Sequence, residues 1–214
     1  MYVVTHAEAT HHLDRVVGGW HDSQLTPAGA RAAAAAGQAL RARIPADAAA
    51  EVFSSDLRRA AQTATAVARA LNVEPAYDRR LREKSYGEAE GRPQEWLDQR
   101  FIPPPAAGER MDHDEGIAGA ETKASLARRI YAAMDDILTS GCAHQVIVTH
   151  AMAATFVLAC WIRMPLESAG YVSFRAAPGS ITVLYEDDYF HNRQVVSLGD
   201  TRHLPSEPSG RPSR

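Results

Sequence analysis

Cysteine is scarce. Cys142 and Cys160 are the two in 214 residues, and they form neither a C-x-x-C pair nor a disulfide framework, so both read as reduced core or near-core thiols. Long apolar runs are missing as well. No uninterrupted stretch approaches the roughly 20 residues needed to cross a bilayer, and the amino terminus lacks the basic and apolar regions of a signal peptide, which makes cytoplasmic localisation the expectation. Charge of one sign is absent too: 23 Lys and Arg against 26 Asp and Glu give a formal charge of −3, with a pI near 6.3. Neither nucleic acid nor an anionic membrane is therefore indicated as a partner, and any phosphate binding must come from a local concentration of Arg and His. No solenoid-type repeat is visible. The length suits one domain with a sizeable core, expected over residues 1–204.

What is present is a repeated junction. The chain opens on Tyr2-Val3-Val4-Thr5-His6, and Gln145-Val146-Ile147-Val148-Thr149-His150 repeats the pattern. Each is an apolar, β-branched run ending in Thr-His and leading into helix-compatible sequence, as expected of a buried parallel strand. Such strands deliver the residues after them to the carboxyl edge of the sheet, where open α/β folds bind ligands. The expectation is that the two strands are neighbours and that both imidazoles face one pocket.

Between the junctions, residues 11–26 lack any period and read as a surface loop. Thr26-Pro27 gives an N-cap and a first-position proline for an Ala-rich helix over 28–43. A short strand at 50–53, a helix over 57–71, a short strand within 73–78 and a charged loop over 78–91 come next. Residues 92–118, with Pro103-Pro104-Pro105 and an acidic MDHDEG, read as an insertion loop able to act as a lid. The clearest amphipathic helix spans 121–138, with Leu126, Ile130, Met134 and Ile137 on one stripe. A buried helix over 152–162 comes after the second junction. The apolar runs 171–174, 181–185 and 194–198 read as strands on one side of the sheet, whose exposed edges near 171–185 would suit a homodimer. The composition of 205–214 predicts a disordered tail.

An imidazole at a sheet edge is usually a hydrogen-bonded structural group, yet two after matched strands make coincidence less plausible. A neutral imidazole can attack phosphorus and split one hard displacement into two easier ones. It then needs cations and a proton donor. Ser54-Ser55-Asp56-Leu57-Arg58-Arg59 places a guanidinium pair at a helix start, where a planar fork can reach the same edge, and Arg59 is the better candidate to point inward. Glu83, in a glycine-punctuated loop, is the candidate proton donor, since like-charge repulsion from an incoming phosphate dianion favours a protonated carboxyl.

The segments THAEAT, GWHDSQLTPAG, SSDLRRAAQTA, LREKSYGEAEG, GAETKASLARR and IVTHAMAATFVL, in that order, resemble the histidine phosphatase superfamily, in its phosphoglycerate-mutase-like branch. The resemblance runs from residue 2 to about 163, and residues 200–204 resemble the family's closing strand. It implies a three-layer α/β/α sandwich with a mostly parallel central sheet. It further implies catalytic roles for His6 as phosphorylated nucleophile, Arg59 as phosphate clamp, Glu83 as acid/base and His150 as the second histidine. His12 falls where family members often carry a substrate-contacting Asn, Tyr86 matches a substrate-side tyrosine, and Thr5 and Ala151 lie at the substrate. The implied activity is metal- and cofactor-free hydrolysis of a small phosphorylated metabolite, with a phosphate-ester binder of weakened turnover or a mutase-type phosphotransferase as alternatives.

Two departures stand out. The family's first motif is Arg-His-Gly-Glu, whereas this chain has Thr5-His6-Ala7-Glu8, which removes one clamp, and the usual His-Gly of the second motif is His150-Ala151. Arg15, Arg58, His11 and His12 are the cationic or ionisable replacements nearest in sequence.

Overall fold

The structure is a computed structural model that describes residues 1–204; the tail over 205–214 lies outside the described residues. In chain order the elements are β1 (Tyr2–Thr5), α1 (Thr10–Asp14), α2 (Pro27–Arg43), β2 (Ala50–Ser54), α3 (Arg58–Leu71), β3 (Pro75–Tyr77), α4 (Gln94–Asp98), α5 (Lys123–Thr139), β4 (His144–Thr149), α6 (Ala151–Trp161), β5 (Ile181–Glu186) and β6 (Arg193–Asp200). The six strands form one sheet in the order β3-β2-β4-β1-β5-β6, parallel from β3 through β1 and antiparallel at β5 and β6.

Period-two alternation within the strands builds the three layers. On one face Val4, Val52, Val146 and Val148 pack with Leu40 of α2 and Ala64 and Val67 of α3. On the other, Val3 and Ile147 pack with Ile130 and Met134 of α5 and Phe156 and Val157 of α6. Helix α6 is apolar almost all round, and nine of its eleven residues are buried, which is why its sequence shows no stripe. Thr26 caps α2 by accepting the Gly29 N–H at 2.9 Å. Gly29 is needed for closeness: a Cβ there would lie 2.0 Å from the Glu8 carbonyl oxygen, so α2 begins directly against the segment after β1.

Several expectations are corrected. Residues 11–26 are not simply a surface loop, because α1 occupies 10–14 and His11, Val17 and Ser23 are buried. The run 171–174 is not a strand: Tyr171 ends a 3-10 helix (Leu166–Tyr171), and residues 172–177, which lead to a turn at 178–179 before β5, have no partner strand among the described residues. Its apolar residues are used otherwise, Val172 and Phe174 packing on the α5/α6 core. The closing strand ends at Asp200, and residues 201–204 are a turn. The segment 92–118 carries its own small core, with Leu97 and Ile117 packed against Val17 and Ala89.

Candidate active site

Register is what brings the two junctions together. Thr5 pairs with Thr149 across β1 and β4, so the next residues, His6 and His150, leave the sheet side by side, and the His6 N–H donates to the Thr149 carbonyl at 2.8 Å. Their ring centroids lie 4.9 Å apart in a T-shaped arrangement.

The tautomer of His6 is set by its partners. Nδ1 lies 2.8 Å from the Ala7 carbonyl, which can only accept, so Nδ1 carries the hydrogen. Nε2 therefore keeps its lone pair, and it accepts from Nε of Arg59 at 3.3 Å. Burial, reinforced by Arg59, holds the His6 pKa well below the ordinary histidine value, and the imidazole is neutral at pH 7.

Arg59, at the start of α3, is 1% exposed. Its other nitrogens donate to the carbonyls of His21 (2.8 Å) and Gly19 (2.7 Å), which fixes the plane of the guanidinium at His6. Arg58 is exposed and its side chain does not line the cavity; its backbone N–H donates to Asp22 instead.

Glu83 reaches the same place from the loop after β3. Its carboxylate accepts the backbone N–H groups of Met152 and Ala153, both at 3.1 Å, at the amino end of α6, and its own neighbour's at 2.9 Å. The loop itself is held by side chains that sequence reasoning passed over. Arg129 donates to the carbonyls of Arg80, Arg82 and Glu83 while pairing with Glu121, and the Trp20 indole donates to the Glu83 carbonyl at 2.7 Å. A basic residue beside the apolar stripe of α5 was the available signal for Arg129. Trp20 offered none beyond its place in a loop after the nucleophile.

These groups border a cavity of about 530 Å³ whose lining includes His6, His12, Arg59, Glu83, Tyr86 and Ala151. His150 does not line it: the residue is fully buried behind His6. Ser55 Oγ, which accepts the Leu57 N–H, sits 2.8 Å from His150 Nε2, while His150 Nδ1 has no partner among the described residues. His12 stacks on His6 at 5.7 Å and accepts the Ala9 N–H through Nδ1, so its Nε2 is the donor. Tyr86 stays protonated, its pKa raised by burial and by Glu83 and Glu115.

Thr5 does not replace the missing arginine. Its hydroxyl donates to the Ala177 carbonyl at 2.5 Å and contacts Ser180 Oγ at 3.2 Å, tying β1 to the turn before β5. Nor do the neighbouring imidazoles bring charge. Burial, then His12 and Arg59, pushes His11 down to about 3, and burial and Arg59 lower His12. Arg15 lines the cavity as an exposed residue at the end of α1.

The same burial has an effect on stability. His6, His11 and His150 are neutral in the folded protein well below pH 6.5, whereas the unfolded chain protonates them near 6.5. Their folded pKa values are depressed, so stability is full above 6.5 and falls as pH drops below it. At about 1.4 kcal/mol per unit for each fully titrating group, three such groups together cost roughly 2 kcal/mol between pH 7 and 6. Urea melts at the two pH values check this, and equal midpoints would refute it.

Comparison with known proteins adds to this geometry. Residues 1–201 match the family model of the histidine phosphatase superfamily (branch 1). A protein named probable phosphoglycerate mutase GpmB, from Yersinia pestis (strain Pestoides F), is 30% identical over 95% of this chain and 94% of its own length. The solved structure of mycobacterial glucosyl-3-phosphoglycerate phosphatase with vanadate superposes with a TM-score of 0.75 at 21% identity, covering 93% of this chain and 98% of that one. A phosphoserine phosphatase from Entamoeba histolytica, solved with phosphoserine as an H9A mutant, gives 0.72 at 19%, covering 95% and 98%. At these identities the solved structures speak to the fold, a three-layer α/β/α sandwich.

Proposed function

Since the chain belongs to the histidine phosphatase superfamily, branch 1, we propose that it is a phosphomonoesterase that hydrolyses a small phosphorylated metabolite through a phosphohistidine on His6. One observation carries the reading: a neutral imidazole whose Nδ1–H is held by the Ala7 carbonyl presents the Nε2 lone pair beside a buried guanidinium, in a cavity that Glu83 also borders.

In the first step His6 Nε2 attacks phosphorus, the P–N bond forms, and the ester P–O bond breaks. The departing oxygen takes a proton from Glu83 and leaves as an alcohol. In the second step water attacks the phosphohistidine, giving its proton to the Glu83 carboxylate while the P–N bond breaks, and inorganic phosphate departs. Arg59 neutralises charge on the equatorial oxygens. His12 offers a neutral Nε2–H. The GpmB relative favours a second reading, in which phospho-His6 passes its group to another hydroxyl of phosphoglycerate rather than to water.

The test is rapid quenching during turnover of 4-nitrophenyl phosphate into alkali, where phosphohistidine survives, and then peptide mass mapping. Phosphate on His6, with none trapped in His6→Gln protein, is the expected result. Sustained release of phosphate by His6→Gln at the parent rate would end the proposal, and isomerisation of phosphoglycerate without phosphate release would favour the transferase reading.

A further inference from the structure

A second cavity, of about 360 Å³, adjoins the first, and the two share Glu83, Tyr86, Ala151 and Ala176 in their walls. Its remaining lining includes an apolar and a cationic part beside the hydroxyls of Thr155 and Ser173. Phe156 and Phe174 provide an apolar wall, while Lys123, at the start of α5, and Arg175, in the extended segment before β5, bring positive charge.

Neither cation has a carboxylate partner among the described residues. Glu115 is the carboxylate nearest in effect to Lys123, but it is committed to Lys84 Nζ at 2.6 Å, leaving Lys123 a carbonyl contact with Gly170 at 3.5 Å. The Arg175 side chain has no hydrogen-bond or ion-pair partner among the described residues. Burial and the charge of Arg110 both lower the Lys123 pKa, the direction expected of an ammonium that lacks a counter-ion. Arg175 is an exposed residue, whereas Lys123 is half-buried. Both border a concave, partly aromatic space.

Glu83 fixes the orientation. If it protonates the departing oxygen, that oxygen lies at the wall common to both cavities, and the body of the leaving group continues into the second. We infer that this annex binds the leaving group, and that the substrate is an elongated phosphate ester whose apolar body ends in a carboxylate or similar anion. The inference rests on the phosphomonoester reading for its orientation. Phe156 and Phe174 would cover the apolar body, and Lys123 and Arg175 would pair with the terminal anion.

Binding of non-hydrolysable phosphonates to the parent protein, by calorimetry at physiological salt, tests it. The probes are 4-(carboxymethyl)benzylphosphonate and its uncharged isostere 4-isobutylbenzylphosphonate. The carboxylated probe should bind about tenfold more tightly, and the ratio should fall to within about twofold in protein carrying both K123M and R175M. Equal affinities in the parent, no binding of either probe, or a preference that survives the double substitution would each overturn the annex. Turnover plays no part in this readout: an enzyme that releases no phosphate yet keeps the binding ratio sinks the hydrolase reading alone, and an active enzyme with a ratio near one sinks the annex alone.

Discussion

Protein carrying Arg59→Met is expected to hydrolyse 4-nitrophenyl phosphate about 10³-fold more slowly than the parent, mostly in kcat. Removing a guanidinium that neutralises transferring phosphoryl charge costs about 10³ to 10⁵ in other phosphoryl-transfer enzymes. The lower figure suits a replacement of similar length that preserves packing. Thr5 occupies the position of the family's other arginine and spends its hydroxyl on Ala177, His11 and His12 are held neutral, and the other guanidinium in the cavity lining, Arg15, belongs to an exposed residue at the end of α1. Arg59→Lys should recover little, because a lysine cannot reach His6 Nε2 and the Gly19 and His21 carbonyls together as the fork does. Steady-state kinetics on both variants, with thermal melts to confirm folding, check this. Rates within tenfold of the parent would show that charge neutralisation comes from elsewhere.

The second large effect concerns stability. Lys84 is fully buried, its Nζ 2.6 Å from a Glu115 carboxylate that is 8% exposed and 4.3 Å from the centre of the Tyr86 ring. Lys84→Met keeps much of the volume and strands a buried carboxylate, so a loss of about 3 to 5 kcal/mol is expected. Replacing both partners, Lys84→Met with Glu115→Met, should recover most of that loss, because no charge then remains to be desolvated. Urea unfolding of the two single variants and the double variant measures it. A double variant as unstable as Lys84→Met would mean that the pair serves packing rather than mutual neutralisation. The pair also joins the loop carrying Glu83 to the segment 92–118, so the single variant should show faster amide exchange over those residues.

Much of the fold was readable because its signals are local. Proline and threonine at the start of α2, the stripe of α5, and β-branched runs ending in Thr-His each arise from nearest-neighbour chemistry. The misreadings came where local chemistry is ambiguous. An apolar run at 171–174 fits a strand as well as an extended segment, and only the absence of a neighbour to pair with decides between them. The short helix α1 has too few residues to carry a period.

By itself the sequence determined the residue types of the site, the parallel strands that carry two of them, and the family to which the chain belongs. Tertiary structure alone decided that Thr5 pairs with Thr149 and sets the imidazoles together, that the Ala7 carbonyl fixes the tautomer of His6, that His150 sits behind rather than in the cavity, and that Lys123 and Arg175 face a common annex. The reason is physical. Caps and hydrophobic periods act over a few residues, whereas strand register, burial and the counter-ion a charge finds depend on segments that the chain brings together from more than fifty residues apart.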